Sequence, residues 1–464
     1  MPLLKKTMFR EYDLRGRESE DELNDTSVYY LGRGFGAFLT KRNLKETVVG
    51  HDARATSESF HANMIKGLTE SGIYVIDIGT VTTPMSYWSQ YFLKVKGLVM
   101  ITASHNPAGW NGVKFGTDFS YTLLTDEMQE LYDIIAKDKF VDGKGSVTKK
   151  DIRDDYIRDL LSRASITKKF KILLNTGNGT AGLFAPELLR QAGCEVVEHF
   201  TNVDPSYPNY TPNPDGTAMM EDTGKQTVAN KCDLGFAFDG DGDRLGLVDE
   251  KGNIIWPDRY IILLSRLVLS KHPGAKIVFD VKVSEALPED IKAHGGVPIM
   301  WKTGHSYIKA KLAEENAAMA GEMSGHIFFV DDFYGFDDAF FAGLKMLEYL
   351  STEDKPLSEI IADTPYYVST PTIQVKTTDE DKYKVVDELV EEFKTEGYKV
   401  NDINGARVYI KDGWGLVRAS SNTPTLVLRF ESKTQEGLDK IKDIFKQKLD
   451  RFDVVNKEWD TTGH

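Results

Sequence analysis

The chain has 464 residues, of which 41% are hydrophobic and 28% are charged. At roughly 100–200 residues per domain, this length indicates several domains with their own cores, and the composition excludes disordered and collagen-like proteins. The formal net charge is −14 and the sequence has no long Lys/Arg block. We therefore expect neither a nucleic acid nor an anionic membrane as a partner, although a small phosphorylated ligand can still meet a local basic pocket.

The sequence shows no export or membrane signal. Its first residues, MPLLKKTMFREYD, lack the apolar core and the small-residue cleavage site of a signal peptide. The longest apolar runs, such as residues 260–264, are far too short to span a bilayer. Cys194 and Cys232 are the only cysteines, so a disulfide framework is not needed. We expect a cytoplasmic protein.

Apolar runs of strand length recur along the chain, and each is followed by a helical pattern. Before the first run, Val28, Leu31, Phe35 and Phe38 recur at helical spacing and predict a core-facing helix. The runs and their helical patterns are TVVG (47–50) with 59–72, KILLN (171–175) with 183–193, and KIVFD (276–280) with 285–294. This alternation predicts three related α/β domains, because their spacing far exceeds the 20–50 residues of a solenoid repeat.

The last hundred residues have a different pattern. From about Thr370 a strand, a charged helix, three strands and a final helix follow one another, which predicts a separate α+β domain. The polar stretch at residues 142–155 is predicted to be a linker or boundary, and Gly252-Asn253 a second boundary. The predicted domains are residues 1–148, 149–252, 253–366 and 367–464.

The motif TASHNP at residues 102–107 follows the strand-like run LVMI. Ser104 is therefore predicted on a loop at the carboxyl end of a strand, where open α/β sheets bind ligands, with its hydroxyl exposed and held in place. One interpretation is a nucleophile activated by His105, although adjacent residues in an extended loop tend to point apart and the G-x-S-x-G elbow is absent. The others are a serine that carries a phosphoryl group and an ordinary turn.

The motif DGDGDR places Asp239, Asp241 and Asp243 at alternate positions of a glycine-containing loop. Three hard oxygen ligands that converge in this way suit Mg²⁺. The rival is an EF-hand calcium loop, since Glu250 falls at its twelfth position. Arg244 stands where that loop needs glycine, and the flanks LGFAF and LGLV read as strands rather than helices. The pattern favours Mg²⁺.

The segment GNGTAG at residues 177–182 fits the dinucleotide-binding pattern G-x-G-x-x-G. It follows a strand, opens a helical pattern and has Glu198 about twenty residues further on, as that fingerprint requires. A dinucleotide-binding oxidoreductase is therefore the alternative function. Glycines are common at any strand-to-helix turn, and a nicotinamide enzyme would not need the acidic loop.

Two further polar motifs suit a sugar phosphate. In GEMSGH, Glu322, Ser324 and His326 alternate, so in extended backbone they would share one face and could bind vicinal sugar hydroxyls. The second motif, RASSNTP at residues 418–424, combines a guanidinium with hydroxyls and turn amides, which is a good phosphate cradle. Taken alone, an exposed strand end and a solvated turn explain them equally well.

Together, these loops in this order (the glycine turn aside) resemble the α-D-phosphohexomutase family, most closely its phosphomannomutase/phosphoglucomutase branch. The resemblance covers essentially the whole chain, from FREYDLRG at residues 9–16 to the Arg418 loop. It implies a monomer with three related mixed α/β domains and a C-terminal α+β domain around a central cleft. It also implies an intramolecular phosphotransferase that interconverts hexose 1-phosphate and hexose 6-phosphate of mannose and/or glucose.

The resemblance implies roles for individual residues. Ser104 would be the phosphoserine and, with Asp239, Asp241 and Asp243, would contact one Mg²⁺ per chain. The residues implied to line the cleft are Tyr12, Arg15, Lys114, Arg244, Lys282 and His305. The residues implied to hold the sugar and its distal phosphate are Glu322, Ser324, His326, Arg418, Ser420, Ser421 and Asn422. Lys114 or His305 would move the hydroxyl proton, and Arg15 would be a further catalytic residue. A hexose 1,6-bisphosphate would be the intermediate and activator.

Two segments depart from the family pattern. The phosphate loop reads Ser-Ser-Asn-Thr at residues 420–423, where close relatives usually have Ser-Asn-Thr-Thr. The segment GHDAR at residues 50–54 replaces the commoner GRD-x-R. Both departures leave the remaining motifs intact.

Overall fold

The computed structural model describes residues 4–421 and 423–459. The chain divides into two compact units. The first unit comprises Met1–Pro214, Ala218–Ile254 and Gly325–Leu357, and the second comprises Asp215–Thr217, Ile255–Ser324 and Ser358–His464. The predicted third domain therefore contributes to both units.

The first part of the first unit is a mixed sheet with helices. Its elements are β1 (Leu14–Arg17), α1 (Asp25–Lys41), β2 (Glu46–His51), α2 (Ser57–Glu70), β3 (Tyr74–Thr80), α3 (Thr83–Leu93), β4 (Gly97–Ile101), β5 (Trp110–Asp118), β6 (Tyr121–Thr122), α4 (Thr125–Ala136), β7 (Val147–Lys149) and α5 (Arg153–Ser162). The strand order is β1-β5-β4-β2-β3-β7, and β6 pairs with β5. The stretch at residues 142–155, which the sequence analysis predicts to be a linker or boundary, contains β7 and the start of α5.

Helix α1 forms where the apolar spacing predicts it. Asn24 precedes the helix and its side chain accepts a hydrogen bond from the Ser27 amide at 3.0 Å, while the Ser27 hydroxyl accepts one from the Asn24 amide. Val28, Leu31 and Phe35 are fully buried in the core that this sheet shares with its helices. The helix is therefore fixed both by its cap and by one apolar face.

A second sheet completes most of the first unit. Its region contains β8 (Lys171–Asn175), α6 (Ala185–Gln191), β9 (Glu195–His199), α7 (Thr217–Ala229), β10 (Leu234–Phe238), β11 (Leu245–Asp249) and β12 (Ile254–Ile255). The order is β11-β10-β8-β9, with β10 parallel to β8 and antiparallel to β11. The loops after β8 and β10 consequently leave the sheet at the same edge.

The next region is shared between the units. Its elements are α8 (Pro257–Lys271), β13 (Lys276–Asp280), α9 (Ala286–Ala293), β14 (Val297–Trp301), α10 (His305–Glu315), β15 (Met319–Gly321), β16 (Ile327–Phe329), α11 (Ala339–Ser351) and α12 (Leu357–Ala362). In the second unit, β13 lies between β14 and β15 and is parallel to both. Strand β16 and helix α11 belong to the first unit.

The rest of the second unit is an antiparallel sheet covered by two helices. Its elements are β17 (Val368–Ser369), β18 (Ile373–Lys376), α13 (Asp381–Thr395), β19 (Lys399–Asn401), β20 (Ala406–Ile410), β21 (Gly413–Ala419), β22 (Thr425–Ser432) and α14 (Gln435–Leu449). The order is β17-β22-β21-β20-β19, with β18 also paired to β22. Apolar residues of α13, α14 and the strands form one core, as the α+β prediction requires.

Within residues 4–421 and 423–459, no helix is both long and apolar enough to cross a bilayer. Cys194 and Cys232 are free and buried.

Asp338 is a buried carboxyl group at the start of α11. It accepts hydrogen bonds from the Phe341 amide at 2.9 Å and the Tyr156 hydroxyl at 2.8 Å. Burial raises the pKa of Asp338 to about 7. An unfolded aspartate ionises near 3.9, so the folded protein binds the extra proton between those values and its unfolding free energy falls as pH rises through that window.

Asp338→Asn keeps a capping side chain but carries no charge. We expect the variant to gain stability relative to the natural protein as the pH rises from about 4 to 7, by an amount on the order of a few kcal/mol. Thermal unfolding of both proteins at pH 5 and pH 7.5 measures this. An equal difference in melting temperature at the two pH values would show that Asp338 does not titrate in this window.

Candidate active site

The serine loop begins where β4 ends. Ser104 has φ +50° and is 2% exposed, so the hydroxyl is buried rather than exposed as predicted. Its amide donates to the Thr102 hydroxyl at 2.9 Å, and its hydroxyl donates to Asp239 Oδ2 at 2.8 Å. The hydroxyl is thus held against the acidic loop by its own hydrogen bond.

His105 lies beside that hydroxyl, with Nδ1 3.1 Å from Ser104 Oγ. The expectation that the two side chains point apart is wrong, because the left-handed conformation of Ser104 breaks the extended geometry on which it rests. Burial, together with the charges of Arg244 and Arg15, lowers the pKa of His105 well below its ordinary value. The surroundings of His105 therefore favour the uncharged imidazole.

The acidic loop joins the antiparallel strands β10 and β11. Asp239, Asp241 and Asp243 are fully buried, and one oxygen from each lies within 4.8 Å of the others. Asp239 Oδ1 accepts the amides of Asp243 and Arg244 at 3.0 and 3.2 Å, and Gly242 takes φ +76° in the turn. Strands flank the loop on both sides, which excludes an EF-hand as expected.

Lys114 provides the main positive charge beside these carboxylates. Its Nζ lies 2.6 Å from Asp243 Oδ2 and 3.3 Å from Asp241 Oδ2. Burial alone would lower the pKa of Lys114, but Asp241 and Asp243 outweigh it and raise that pKa well above its ordinary value. Burial and the two neighbouring carboxylates raise the pKa of Asp239. One lysine therefore does not neutralise the three acidic groups.

The arrangement fits a small divalent cation. Asp241 Oδ2 accepts the hydroxyls of Thr83 at 2.5 Å and Thr102 at 3.1 Å, so this carboxylate is firmly oriented. Its other oxygen, Oδ1, is buried and has no hydrogen-bond partner in the part of the chain that the structure describes. A buried carboxylate oxygen of this kind, next to two more carboxylates, is the donor set that Mg²⁺ prefers.

His326 and Arg244 lie next to the acidic loop. His326 Nε2 is 3.3 Å from Asp243 Oδ1, and Arg244 Nε is 3.4 Å from the same ring nitrogen. The Asp337 carboxylate lies within 4.8 Å of both His326 and Asp243 ligand atoms. Sequence reasoning missed Asp337, although its signal is the acidic pair in GFDD directly before α11. Thr83 was missed as well.

Arg15 contacts the serine loop from β1. Its guanidinium donates to the Ala103 carbonyl at 3.2 Å and to Asn106 Oδ1 at 2.6 Å, and it pairs with Asp13 at 2.9 Å. Tyr12, three residues before Arg15 in the sequence, is also buried. The structure thus brings Arg15 together with the loop that carries Ser104.

In the second unit, predicted residues gather around Asp280, which ends β13. Lys282 Nζ is 3.6 Å from Asp280 Oδ2, and the Thr303 hydroxyl donates to the same oxygen at 3.1 Å. Burial raises the pKa of the Asp280 carboxyl, and the negative charge of Glu322 raises it further. The positive charges of Lys282 and Arg418 act in the opposite direction. Asp280 was not predicted, although it closes the strand run KIVFD.

His305 begins α10, directly after Gly304, whose amide donates to Glu322 Oε1 at 2.6 Å. The expectation that Glu322, Ser324 and His326 share one face of an extended segment is wrong. Residues 323–325 form a turn after β15, and Gly325 takes φ +91°. Glu322 and Ser324 belong to the second unit, and His326 belongs to the first.

The predicted phosphate loop connects β21 to β22. Arg418 is buried and its Nη2 lies 3.4 Å from the Ser421 hydroxyl. The Ser420 amide donates to the Thr425 carbonyl at 3.0 Å, and its hydroxyl lies 2.9 Å from that of Thr423. Asn422, the remaining residue of this prediction, lies outside the described residues.

The glycine turn GNGTAG does not form a phosphate cradle. Four successive amides of the turn, at residues 177–180, donate to protein oxygens, and those of Asn178 and Thr180 reach the Phe200 and Gly240 carbonyls at 2.7 and 2.9 Å. The turn leads into a short 3₁₀ helix at Thr180–Leu183 and not into a long α-helix. The amides that a pyrophosphate would need are already used, which removes the basis for dinucleotide binding.

Models of known protein families match most of the chain. Residues 6–142, 154–252 and 256–367 match the alpha/beta/alpha domains I, II and III of phosphoglucomutase/phosphomannomutase, and residues 373–448 match the C-terminal domain of the same family. The fold is thus that of a four-domain protein with mixed α/β sheets, as the sequence predicts.

Curated relatives and solved structures agree with this fold. The chain is 40% identical over 448 residues to a phosphomannomutase/phosphoglucomutase of Pseudomonas syringae pv. tomato, covering 97% of this chain and 96% of the relative. It is 40% identical over 452 residues to a phosphoglucomutase of Neisseria gonorrhoeae, with 96% and 97% covered. A phosphoglucomutase/phosphomannomutase family protein of Burkholderia thailandensis has a similar structure, with TM-score 0.90, 37% identity, and 97% and 98% of the two chains covered.

The chain belongs to the phosphoglucomutase/phosphomannomutase family. The prediction of a phosphohexomutase is confirmed, and the dinucleotide-binding alternative has no support left. A more distant likeness, to the Aspergillus fumigatus N-acetylphosphoglucosamine mutase solved with GlcNAc-6P and magnesium, concerns the fold alone, with TM-score 0.62, 14% identity and 94% of each chain covered.

Proposed function

We propose that this chain moves the phosphoryl group of mannose and/or glucose phosphates between O1 and O6, through a phosphoserine at Ser104 and a hexose 1,6-bisphosphate. The main support for this proposal is the position of the Ser104 hydroxyl. It is buried and lies 2.8 Å from Asp239 Oδ2, in a cluster of three carboxylates. The phosphoserine gives its group to the free hydroxyl of a hexose monophosphate. The bisphosphate then reverses its orientation and returns the other phosphoryl group to Ser104.

Asp239, Asp241 and Asp243 are the proposed ligands of one Mg²⁺ per chain, together with a phosphate oxygen on Ser104. A phosphoserine adds a charge of about −1.5 to −2 beside three carboxylates. When bound, Mg²⁺ neutralises charge on the transferring phosphoryl group. Lys114 balances part of the remaining charge at Asp243 and Asp241, and the hydroxyls of Thr83 and Thr102 keep Asp241 oriented.

Lys114, His305 and Arg15 are the other proposed catalytic residues. Phosphoryl transfer depends on positioning and charge more than on covalent chemistry. Two proton movements are still needed: one proton must leave the attacking sugar hydroxyl, and one must return to the oxygen that loses the phosphoryl group. The raised pKa of Lys114 keeps its ammonium group charged, which suits the stabilisation of negative charge on the phosphoryl group better than proton transfer. His305 is the second candidate for the proton transfer, and Arg15 holds the serine loop through Ala103 and Asn106.

The proposed sugar-phosphate ligands supply charge and hydrogen bonds of the right kinds. They are Tyr12, Arg244, Lys282, Glu322, Ser324, His326, Arg418, Ser420, Ser421 and Asn422. In this assignment residues 1–148 carry the phosphoserine loop, 149–252 the metal loop, 253–366 the sugar loop and 367–464 the phosphate loop. A guanidinium such as that of Arg418 favours phosphate because it donates two parallel hydrogen bonds.

The proposed partner is a small phosphorylated sugar rather than a nucleic acid or a membrane, consistent with the net charge of −14. We also propose a monomeric protein in the cytoplasm. Equilibrium sedimentation of the purified chain tests the first of these properties.

The assay that tests the function uses glucose 1-phosphate and mannose 1-phosphate, each with and without a trace of hexose 1,6-bisphosphate. Glu322 and Ser324 suit the O3 and O4 hydroxyls that both sugars share, and no motif contacts C2, where they differ. A site that does not contact C2 discriminates poorly between sugars that differ there. We therefore expect comparable turnover of the glucose and mannose phosphates and poor use of galactose 1-phosphate. A preference for mannose above about a thousandfold, or ~4 kcal/mol, would contradict this specificity.

A further inference from the structure

Arg54 and Ser104 lie in loops that leave the same edge of the first sheet. Strands β2 and β4 are parallel, and His51 at the end of β2 pairs with Ile101 at the end of β4. Arg54 follows β2 in the segment GHDAR, and Ser104 follows β4. The two loops therefore start side by side although fifty residues separate Arg54 from Ser104.

The guanidinium of Arg54 binds the backbone of the serine loop at four points. Nη2 donates to the Ser104 and Asn106 carbonyls, both at 2.6 Å. Nη1 donates to the Pro107 and Trp110 carbonyls, both at 3.1 Å. Only a planar group with several N–H donors can bridge four oxygens in this way, and lysine cannot reproduce that geometry.

Asp52 fixes the direction of this guanidinium. Its Oδ2 lies 3.3 Å from Arg54 Nε, while its Oδ1 accepts the Arg54 amide at 3.1 Å and the Ser57 hydroxyl at 2.5 Å. The Asp52 amide donates to the Ile101 carbonyl at 2.9 Å, which ties it to β4. The ring of Tyr207 lies over the guanidinium at 5.3 Å. The arginine is therefore buried and oriented from several sides.

The conformation of Ser104 explains why such a contact is needed. Its φ of +50° is one that a residue with a side chain adopts only when the surroundings enforce it. The carbonyl that Arg54 binds also faces Gly240 of the acidic loop, where an added Cβ would lie 2.4 Å from that oxygen. The Ser104 peptide is thus fixed between Arg54 and the acidic loop, and this directs Oγ toward Asp239.

We infer that Arg54 is a positioning residue for phosphoryl transfer: it holds the Ser104 backbone so that the hydroxyl meets the metal loop, without touching the substrate itself. The inference rests on the proposed role of Ser104 as the phosphoryl carrier. It predicts that Arg54 affects the transfer steps and leaves sugar binding alone, because the proposed sugar ligands Glu322, Ser324 and Arg418 belong to other segments.

The test compares Arg54→Lys with the natural protein at a temperature well below both melting temperatures. We expect kcat for hexose 1-phosphate to fall at least about a hundredfold, equivalent to ~2.7 kcal/mol, while KM changes less than about threefold. Phosphorylation of Ser104 by hexose 1,6-bisphosphate, followed by intact mass, should slow by a similar factor. Arg33→Lys is the matched control, since Arg33 is a partly buried arginine of the same unit that binds the Val141 carbonyl instead, and it should keep normal kcat.

Two further variants cover the case in which Arg54→Lys does not fold. Asp52→Asn retains Arg54 but removes the charge that orients it, and should lower kcat about tenfold with unchanged KM. Arg54→Ala should regain part of its activity when guanidinium ions are added at millimolar concentration, which a merely destabilised protein would not do. Normal phosphorylation rates in Arg54→Lys or Asp52→Asn would overturn the inference. A natural protein that takes no phosphate on Ser104 would instead overturn the proposed function.

Discussion

Ser104→Ala is expected to lower mutase activity by at least about a thousandfold, or ~4 kcal/mol in the activation barrier. Alanine has no oxygen to accept the phosphoryl group, and the acidic loop would face a methyl group where the hydroxyl now donates to Asp239. Hexose phosphate binding should persist, because Glu322, His326 and Arg418 remain. A coupled assay measures the rate, and calorimetry with glucose 1-phosphate measures the binding.

Ser120→Ala is the matched control for this variant. Ser120 is also buried and also left-handed, with φ +51°, but its hydroxyl contacts Tyr91 rather than the acidic loop. The Ser120→Ala variant should leave activity unchanged.

Intact mass of the purified natural protein should show a substoichiometric phosphate that maps to Ser104 and that excess monophosphate substrate reduces. Wild-type turnover in Ser104→Ala, with no phosphate at that serine, would rule out the proposed mechanism.

Asp241→Asn should have the second-largest effect. It keeps the shape of the side chain and can still accept the hydroxyls of Thr83 and Thr102, but it removes one of the three proposed metal charges. We expect the Mg²⁺ concentration for half-maximal activity to rise at least about tenfold and activity at saturating Mg²⁺ to fall about a hundredfold. Titration of activity with Mg²⁺, starting from chelated protein, measures both.

Asp249→Asn is the control that separates a loss of metal binding from a general loss of stability in the β10–β11 hairpin. Asp249 is a buried carboxylate at the end of β11, where it accepts the Lys251 and Asn253 amides. Its replacement can lower the melting temperature but should leave the Mg²⁺ requirement unchanged. If Asp241→Asn keeps full activity in chelator, the assignment of the metal loop is wrong.

The buried strands were predictable because both faces of each strand are covered, so they read as continuous apolar runs. KILLN and LGFAF appear in the structure with the bounds that the sequence indicates, as β8 and β10. Strand β7 was not predictable, since Val147–Lys149 is exposed throughout and pairs at the sheet edge through its backbone. Its side chains carry no pattern to detect.

The proposed site residues were recognisable where one loop contains several chemical groups, as in TASHNP and DGDGDR. Thr83, Asp280 and Arg54 were not predicted, because each meets partners that are distant in the sequence only after the chain folds. Thr83, for example, is 158 residues from Asp241, whose carboxylate it binds. The alternation in GEMSGH misled because the turn at Gly325 removes the extended backbone that the argument assumed.

The hydrogen bond between Ser104 and Asp239 joins residues 135 positions apart. During synthesis at about 5–20 residues per second, Asp239 is made roughly 7 to 27 seconds after Ser104. The first sheet can fold in that interval, but the serine then has no acidic loop beside it. A nascent or truncated chain that ends before residue 239 consequently contains the proposed carrier without the groups that would activate it. In the proposed mechanism, Ser104 therefore becomes reactive only once the second sheet has been made and has packed against the serine loop.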